Sequence, residues 1–363
     1  MDKTPVISAI EAVFPPHYYP QQQLTDMLRE QFWKGSAQRQ SRYEQLHRNV
    51  SVEGRYLALP LDAYTSLDGF RGRNDAWIDV ATALGEEALT CVLHRANLRP
   101  QDAALLATTT VTGVAVPTLD ARLMNRLAFA PDLKRLPLFG LGCLGGVAGV
   151  ARVADYLRGH PQEAALLLAV ELCSLTLQPD DLSIANIIAT GLFGDGAAGV
   201  LLAGAGHPLA AAPAVQIVAS RSLFFPDTER VMGWDVTDSG FQVVLSADVP
   251  ELARTQIGPA VDSFLAAYGL ARDDMAHWVA HPGGPKVIEA LEASLALPPG
   301  TLHLSRESLA RVGNLSSVSV LLILRETLRQ QPRPGSYGLM IAMGPAFAAE
   351  LVLLRFGENH DTK

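Results

Sequence analysis

Residues 135–158 read RLPLFGLGCLGGVAGVARVADYLR. An apolar, strand-like run ends at Gly140 and Gly142, a cysteine follows, and a helix-like run begins. Gly145, Gly146, Ala148, Gly149 and Ala151 fill its first turns. Glycine is a poor helix former, so this many in one helix predicts a buried, tightly packed helix. Cys143 then stands at the helix N-terminus, where free N–H groups and the dipole favour an anion and lower a thiol pKa. A free cysteine is otherwise a small buried hydrophobe. The strand–glycine–cysteine–helix setting favours a nucleophile here.

The second half repeats the device in WVAHPGGPKVIEA (278–290). An internal duplication follows as an expectation, with its boundary near Gly204–Pro213. Around these two stretches, helix and strand patterns alternate along the chain. Helical periodicity covers 75–95, 117–128, 251–270, 285–296 and 314–330; strand patterns cover 103–110, 163–172, 215–225, 277–283, 337–344 and 349–356. Such alternation predicts an α/β fold with substantial sheet. The polar stretch 33–74 is expected to form a surface excursion over the core.

His281 ends an apolar strand, and Pro282, Gly283, Gly284 and Pro285 force a turn into a helix. Its side chain is either a hydrogen-bonded turn residue or a group facing a cavity. His47, His94, His160, His207, His277 and His303 are expected on the surface or in loops. Asn314, in RVGNLSSVSVLLIL, reads as a helix N-cap or as an amide aimed at a carbonyl oxygen. Cys91 and Cys173 read as packing residues, with Cys173 also placed to line a cavity.

The chain has 363 residues, 48% of them hydrophobic, enough to bury a large core. A net charge of −8 argues against nucleic-acid binding. MDKTPVISAI lacks the apolar stretch of a signal peptide, and no run of about 18 apolar residues predicts a membrane span. Three cysteines without a CxxC pair fit a reducing cytoplasm and give neither a disulfide framework nor a zinc site.

Gly-Cys followed by small residues, HPGGP, and GN followed by Ser-Ser together resemble the chalcone synthase and type III polyketide synthase family. GLFGDGAAGVLLAG (191–204) is similar to that family's phenylalanine–glycine–aspartate–glycine segment, and MGPA (343–346) to a reduced form of its C-terminal signature. The segments stand in the family's order and span residues 5 to 357. The resemblance implies a thiolase fold in five αβαβα layers, with two similar halves, 1–205 and 206–363, in a homodimer. It implies decarboxylative Claisen condensation of malonyl-CoA onto an acyl-CoA starter held on Cys143, then cyclisation to a pyrone or phenolic product. His281 would hold the thiolate, and His281 with Asn314 would bind the thioester carbonyl during decarboxylation. Phe193 would stand as gatekeeper between a CoA tunnel and the cavity. Val243, Cys173, Thr176, Trp234, Met343, Ser316, Gly283 and Gly284 would line the substrate site, and Arg42, Arg48 and Arg55 the CoA entrance. The chemistry requires no metal or redox cofactor; CoA is a substrate.

The sequence departs from the plant pattern. Val243 replaces a second gatekeeping phenylalanine, opening space, whereas Trp234 and Met343 narrow the wall. An apolar opening would suit a medium or long acyl starter. MGWDVTDSGFQVVLS (232–246) and ELCSLTLQPDD (171–181) look like the bacterial branch, but Val111 or Thr112 stands where naphthalene producers carry a priming cysteine. A malonyl-CoA-only, tetrahydroxynaphthalene-type synthase is the alternative. An initiating β-ketoacyl-acyl carrier protein synthase shares the Cys-His-Asn set but needs a basic rim, which this acidic chain lacks. A non-catalytic thiolase-fold subunit would have lost one of the three residues.

Overall fold

The computed structural model describes residues 4–67, 69–211 and 215–357. Residues 1–3, at the start of the stretch read as lacking a signal peptide, and the Pro213 end of the duplication boundary lie outside the described residues. The chain opens with β1 (Val6–Val13), β2 (His17–Pro20), α1 (Gln21–Gln31), α2 (Ala37–Asn49) and β3 (Gly54–Leu57). The long α3 (Gly69–Arg95) leads to β4 (Ala103–Thr110), α4 (Leu119–Met124), β5 (Lys134–Phe139) and α5 (Gly145–Gly159). There follow β6 (Ala164–Leu172), α6 (Ile184–Leu192), β7 (Asp195–Ala203), β8 (Val215–Leu223), β9 (Met232–Thr237) and β10 (Gly240–Leu245). The chain closes with α7 (Val249–Ala266), β11 (Met275–Ala280), α8 (Pro285–Ser294), α9 (His303–Val312), α10 (Ser317–Arg329), β12 (Tyr337–Gly344) and β13 (Ala348–Phe356).

Nine strands form one sheet in the order β11-β12-β13-β8-β1-β7-β6-β4-β5. From β4, the pairings run parallel to β6, then antiparallel to β7 and β1. From β11 they run parallel to β12, then antiparallel to β13 and β8. The two series meet where Val6 and Ile7 of β1 face Gln216 and Val215 of β8.

Side-chain alternation sets the layers. Along β6, Leu167 points inward to a central core, while Leu166 and Leu168 point to an outer one. The central core holds Val147 and Val150 of α5, Val320 and Leu324 of α10, and Val352 of β13. Trp77, Leu84 and Leu89 of α3 cover the outer face of the N-terminal strands. Ile257 and Phe264 of α7 and Ile288 of α8 cover Leu339 and Leu353 of the C-terminal strands. The two halves of the sheet thus alternate with helices in five layers, the expected α/β architecture. Each fully buried leucine contributes about 1.5–3 kcal/mol. The glycines of α5 serve this packing: a Cβ on Gly146 would lie 2.2 Å from the Ser317 carbonyl oxygen.

The 33–74 stretch is more than a surface excursion. Trp33, Tyr43, His47 and Arg55 are buried, and α2 packs on α6. No helix among the described residues is long and apolar enough to cross a membrane.

Candidate active site

Strand β5 ends at Phe139, and a single tight turn, Gly142–Leu144, carries Cys143 to the start of α5. On the other half, β11 ends at Ala280, and the His281 N–H donates to the Ile341 carbonyl at 2.8 Å. Asn314 lies just before α10. These three side chains line one cavity of about 290 Å³, with Phe193, Met343, Gly283 and Gly284.

Asn314 is held by a short ladder. Its N–H donates to the Leu192 carbonyl at 2.9 Å, and the Gly194 N–H donates to the Asn314 carbonyl at 3.0 Å. Gly313 permits this approach: its φ is +74°, and a Cβ there would lie 2.7 Å from the Leu192 carbonyl. The Asn314 Oδ1 accepts from the Ser316 N–H at 2.8 Å. That bond fixes the amide's orientation and leaves its N–H₂ with one long contact, 3.5 Å to the Gly283 carbonyl. Asn314 is not the N-cap of α10; Ser316 holds that place, at a strained φ of 49°.

The electrostatics differ from the expectation at the thiol. Burial pushes Cys143 up to about 12, and the charge of Glu171 acts in the same direction. Ser316 and Asn314 favour the anion but do not offset burial. Burial also pushes His281 down to about 3, and both its ring nitrogens are buried without a partner. Burial thus opposes both the thiolate and the imidazolium, against the anion that the helix N-terminus favours.

Glu171 is a site residue to which the sequence pattern assigns no role. At the end of β6 it is fully buried, and desolvation raises it to about 7. It accepts from Ser317 Oγ at 2.6 Å, Thr112 Oγ1 at 3.0 Å and the Val111 N–H at 3.1 Å. An acid closing an otherwise apolar strand was the available signal. As pH rises through 7, Glu171 ionises and opposes ionisation of Cys143. Glu171→Gln is therefore expected to alkylate faster at Cys143 with iodoacetamide at pH 8.5. The gain is about three- to tenfold, since one pKa unit is tenfold in thiolate. Below pH 6 the two proteins should converge. Peptide mass analysis separates this from Cys91, which is exposed rather than packed; equal rates at pH 8.5 would remove the coupling.

The remaining expected residues divide between two cavities. Val243, Cys173, Thr176 and Trp234 line an inner cavity of about 60 Å³, with Val243 opposite Trp234 in the β9–β10 hairpin. Val243 thus widens the inner cavity, not the space beside the thiol. Phe193 is the one residue lining both cavities among the described residues. Ser316 stands near the sulfur, its Oγ without a regular hydrogen bond.

The three arginines separate. Arg42 is exposed on α2, on the face that brings Leu46 and Asn49 to the thiol cavity. Arg48 is exposed and turned to Gln45 and Glu44. Arg55 does not stand at a CoA entrance: it is 4% exposed and lines the inner cavity, donating to the Phe193 carbonyl at 2.6 Å. Lys286, exposed at the rim of the thiol cavity, is a cation the sequence reading passed over. His47 is also buried, between Thr25 and the Ile187 carbonyl. Among the described residues no cluster of ligating side chains could hold a metal ion.

Residues 3–207 match the N-terminal domain of the chalcone and stilbene synthases, and residues 216–356 match their C-terminal domain. The chain is 46% identical over 357 residues to the 1,3,6,8-tetrahydroxynaphthalene synthase of Streptomyces peucetius subsp. caesius, covering 98% of this chain and 94% of that protein. It is 29% identical over 344 residues to the phloroglucinol synthase of Pseudomonas fluorescens, covering 94% and 96%. The crystal structure of 1,3,6,8-tetrahydroxynaphthalene synthase from Streptomyces coelicolor A3(2) superposes with a TM-score of 0.91 at 27% identity, covering 97% and 99%. With both family domains matched and the five-layered fold shared across nearly its whole length, the chain belongs to the chalcone and stilbene synthase family and is a type III polyketide synthase of the bacterial branch, an acyltransferase.

Proposed function

We propose that the enzyme primes itself with malonyl-CoA and extends with malonyl-CoA, giving a hydroxylated aromatic product of the tetrahydroxynaphthalene type. The inner cavity carries this reading. It is small, about 60 Å³, and Arg55, Tyr64, Ser174 and Thr176 put polar groups in its wall. A long alkyl starter would find little room there. The 46% identical relative, a tetrahydroxynaphthalene synthase, supports the same choice. Neither Val111 nor Thr112 offers a second thiol for priming, which we assign to Cys143.

In the proposed cycle, the Cys143 sulfur attacks the starter thioester, its proton passes to the neutral His281 imidazole, and CoA thiolate leaves. The next malonyl-CoA loses CO₂, and its enolate oxygen is met by the Asn314 N–H₂ and by His281. The enolate carbon then attacks the acyl group on Cys143, breaking the carbon–sulfur bond. Arg42 and Lys286 are the cations we assign to the CoA phosphates. Matches to both family domains support free CoA thioesters over a carrier protein.

We further read the protein as a cytoplasmic homodimer of chains built from two halves, 1–205 and 206–363. The repeated strand pairings support the halves. Exposed Phe139, the last residue of the edge strand β5, and exposed Val114 and Val116, which follow β4, supply apolar surface for pairing.

Incubation with malonyl-CoA alone, followed by mass analysis, tests the priming. A pentaketide aromatic product is expected, with hexanoyl-CoA and longer starters competing poorly. Efficient use of long acyl-CoA starters, with no product from malonyl-CoA alone, would replace this reading with the fatty-starter one that Val243 suggests.

A further inference from the structure

Arg55 carries its charge into the wall of the inner cavity. A guanidinium has five N–H donors. Among the described residues it meets one acceptor, the Phe193 carbonyl, and its Nε is buried without a partner. Asp195 favours the cation electrostatically, but its own oxygens are occupied by the Ala58 N–H, the Ser174 N–H and Ser174 Oγ. The hydroxyl and amide groups in this wall are already bonded. Tyr64 pairs with Ser174, Thr176 with the Cys173 carbonyl, and Asn186 with the carbonyls of Gln178 and Asp181. A buried cation with spare donors is costly unless acceptors reach it.

We propose that Arg55 is a specificity-determining residue, whose buried guanidinium donates to the ketone or carboxylate oxygens of the chain entering the inner cavity and discriminates against plain alkyl chains. This names the group behind the substrate class proposed above and rests on that reading. An alkyl chain of equal length would shut the cavity and leave the donors unpaired. An oxygen-bearing chain pairs them. A site built around hydrogen bonding rejects the analogue that lacks the partner.

Acetoacetyl-CoA and butyryl-CoA test this, since their acyl groups have equal length and differ by one ketone oxygen. With malonyl-CoA as extender, the wild type is expected to favour acetoacetyl-CoA by at least about tenfold in kcat/KM. Arg55→Gln keeps a donor for the Phe193 carbonyl, and its ratio should fall to near one, chiefly through loss on acetoacetyl-CoA. Should that variant fail to fold, Arg55→Lys should lower the ratio several-fold. A wild-type ratio near one overturns the proposal. So does a ratio that stays constant while both substrates slow, because the guanidinium would then serve only to hold Phe193. A malonyl-CoA-only incubation runs beside these. Product there with an unchanged ratio removes Arg55 and keeps malonyl priming; no product with a collapsed ratio removes malonyl priming and keeps Arg55.

Discussion

Cys143→Ala is expected to abolish chain extension while part of the malonyl-CoA decarboxylation survives. Among the described residues Cys143 carries the one thiol in the larger cavity: Cys91 is exposed on α3, and Cys173 faces the smaller cavity. Removing a nucleophile costs on the order of 10⁴-fold or more in turnover. Decarboxylation uses other atoms, the N–H₂ of Asn314 and the imidazole of His281, which the substitution leaves in place. Alanine also removes the buried sulfur, at a cost of roughly 1 kcal/mol in stability. Melting should therefore shift by a few degrees at most. Product analysis and CO₂ release on the same preparation check the expectation. Loss of both activities with melting unchanged would show that the thiol also serves decarboxylation.

Burial opposes charge on both Cys143 and His281, and this bears on how the thiol reacts. A preformed thiolate would react with any small electrophile. A thiol raised to about 12, in one cavity with an imidazole lowered to about 3, is disfavoured as a free thiolate at neutral pH. Ionisation waits for a step in which the proton has somewhere to go and the new sulfur–carbon bond removes the charge. Burial, which sets both shifts, also keeps water from an acylated cysteine, protecting the thioester between extensions.

Much of this site was legible in the sequence because its residues sit where strands end. Glycine and proline mark such ends, and Gly142-Cys143, His281-Pro282 and Gly313-Asn314 each carry the mark. The helices and strands around them follow from apolar period, and their bounds differ from expectation by a few residues. What was not legible depends on burial among distant segments. Arg55 lies in a polar stretch, and an arginine there reads as solvated; its burial comes from Phe193 and Asp195, some 140 positions away. His47 is hidden for the same reason, by Thr25 and α6. The helix N-terminus at Cys143 was readable, but the desolvation that outweighs it belongs to the assembled core.

Asn314→Ala should lower malonyl-CoA decarboxylation by about 10²–10³-fold, the usual loss for one oxyanion donor, and leave starter loading within a few-fold of normal. Two observations separate this from a stability effect. The side chain does not cap α10, so no helix N–H of that kind loses its partner. What it loses internally is the bond from the Ser316 N–H, worth about 1 kcal/mol. That bond also holds Ser316 at a positive φ, so its loss should loosen the turn before α10. The ladder through Leu192 and Gly194 is backbone to backbone and survives. Asn314→Asp keeps the acceptor for Ser316 but puts a carboxylate where the enolate charge develops. It should therefore melt near the wild type and decarboxylate as poorly as the alanine variant, or worse. Single-turnover loading with radiolabelled starter, CO₂ release and melting, measured on both variants, decide the matter. If the aspartate variant decarboxylates normally, or if both variants lose loading and decarboxylation in step with melting, Asn314 holds the turn and the oxyanion donor lies elsewhere.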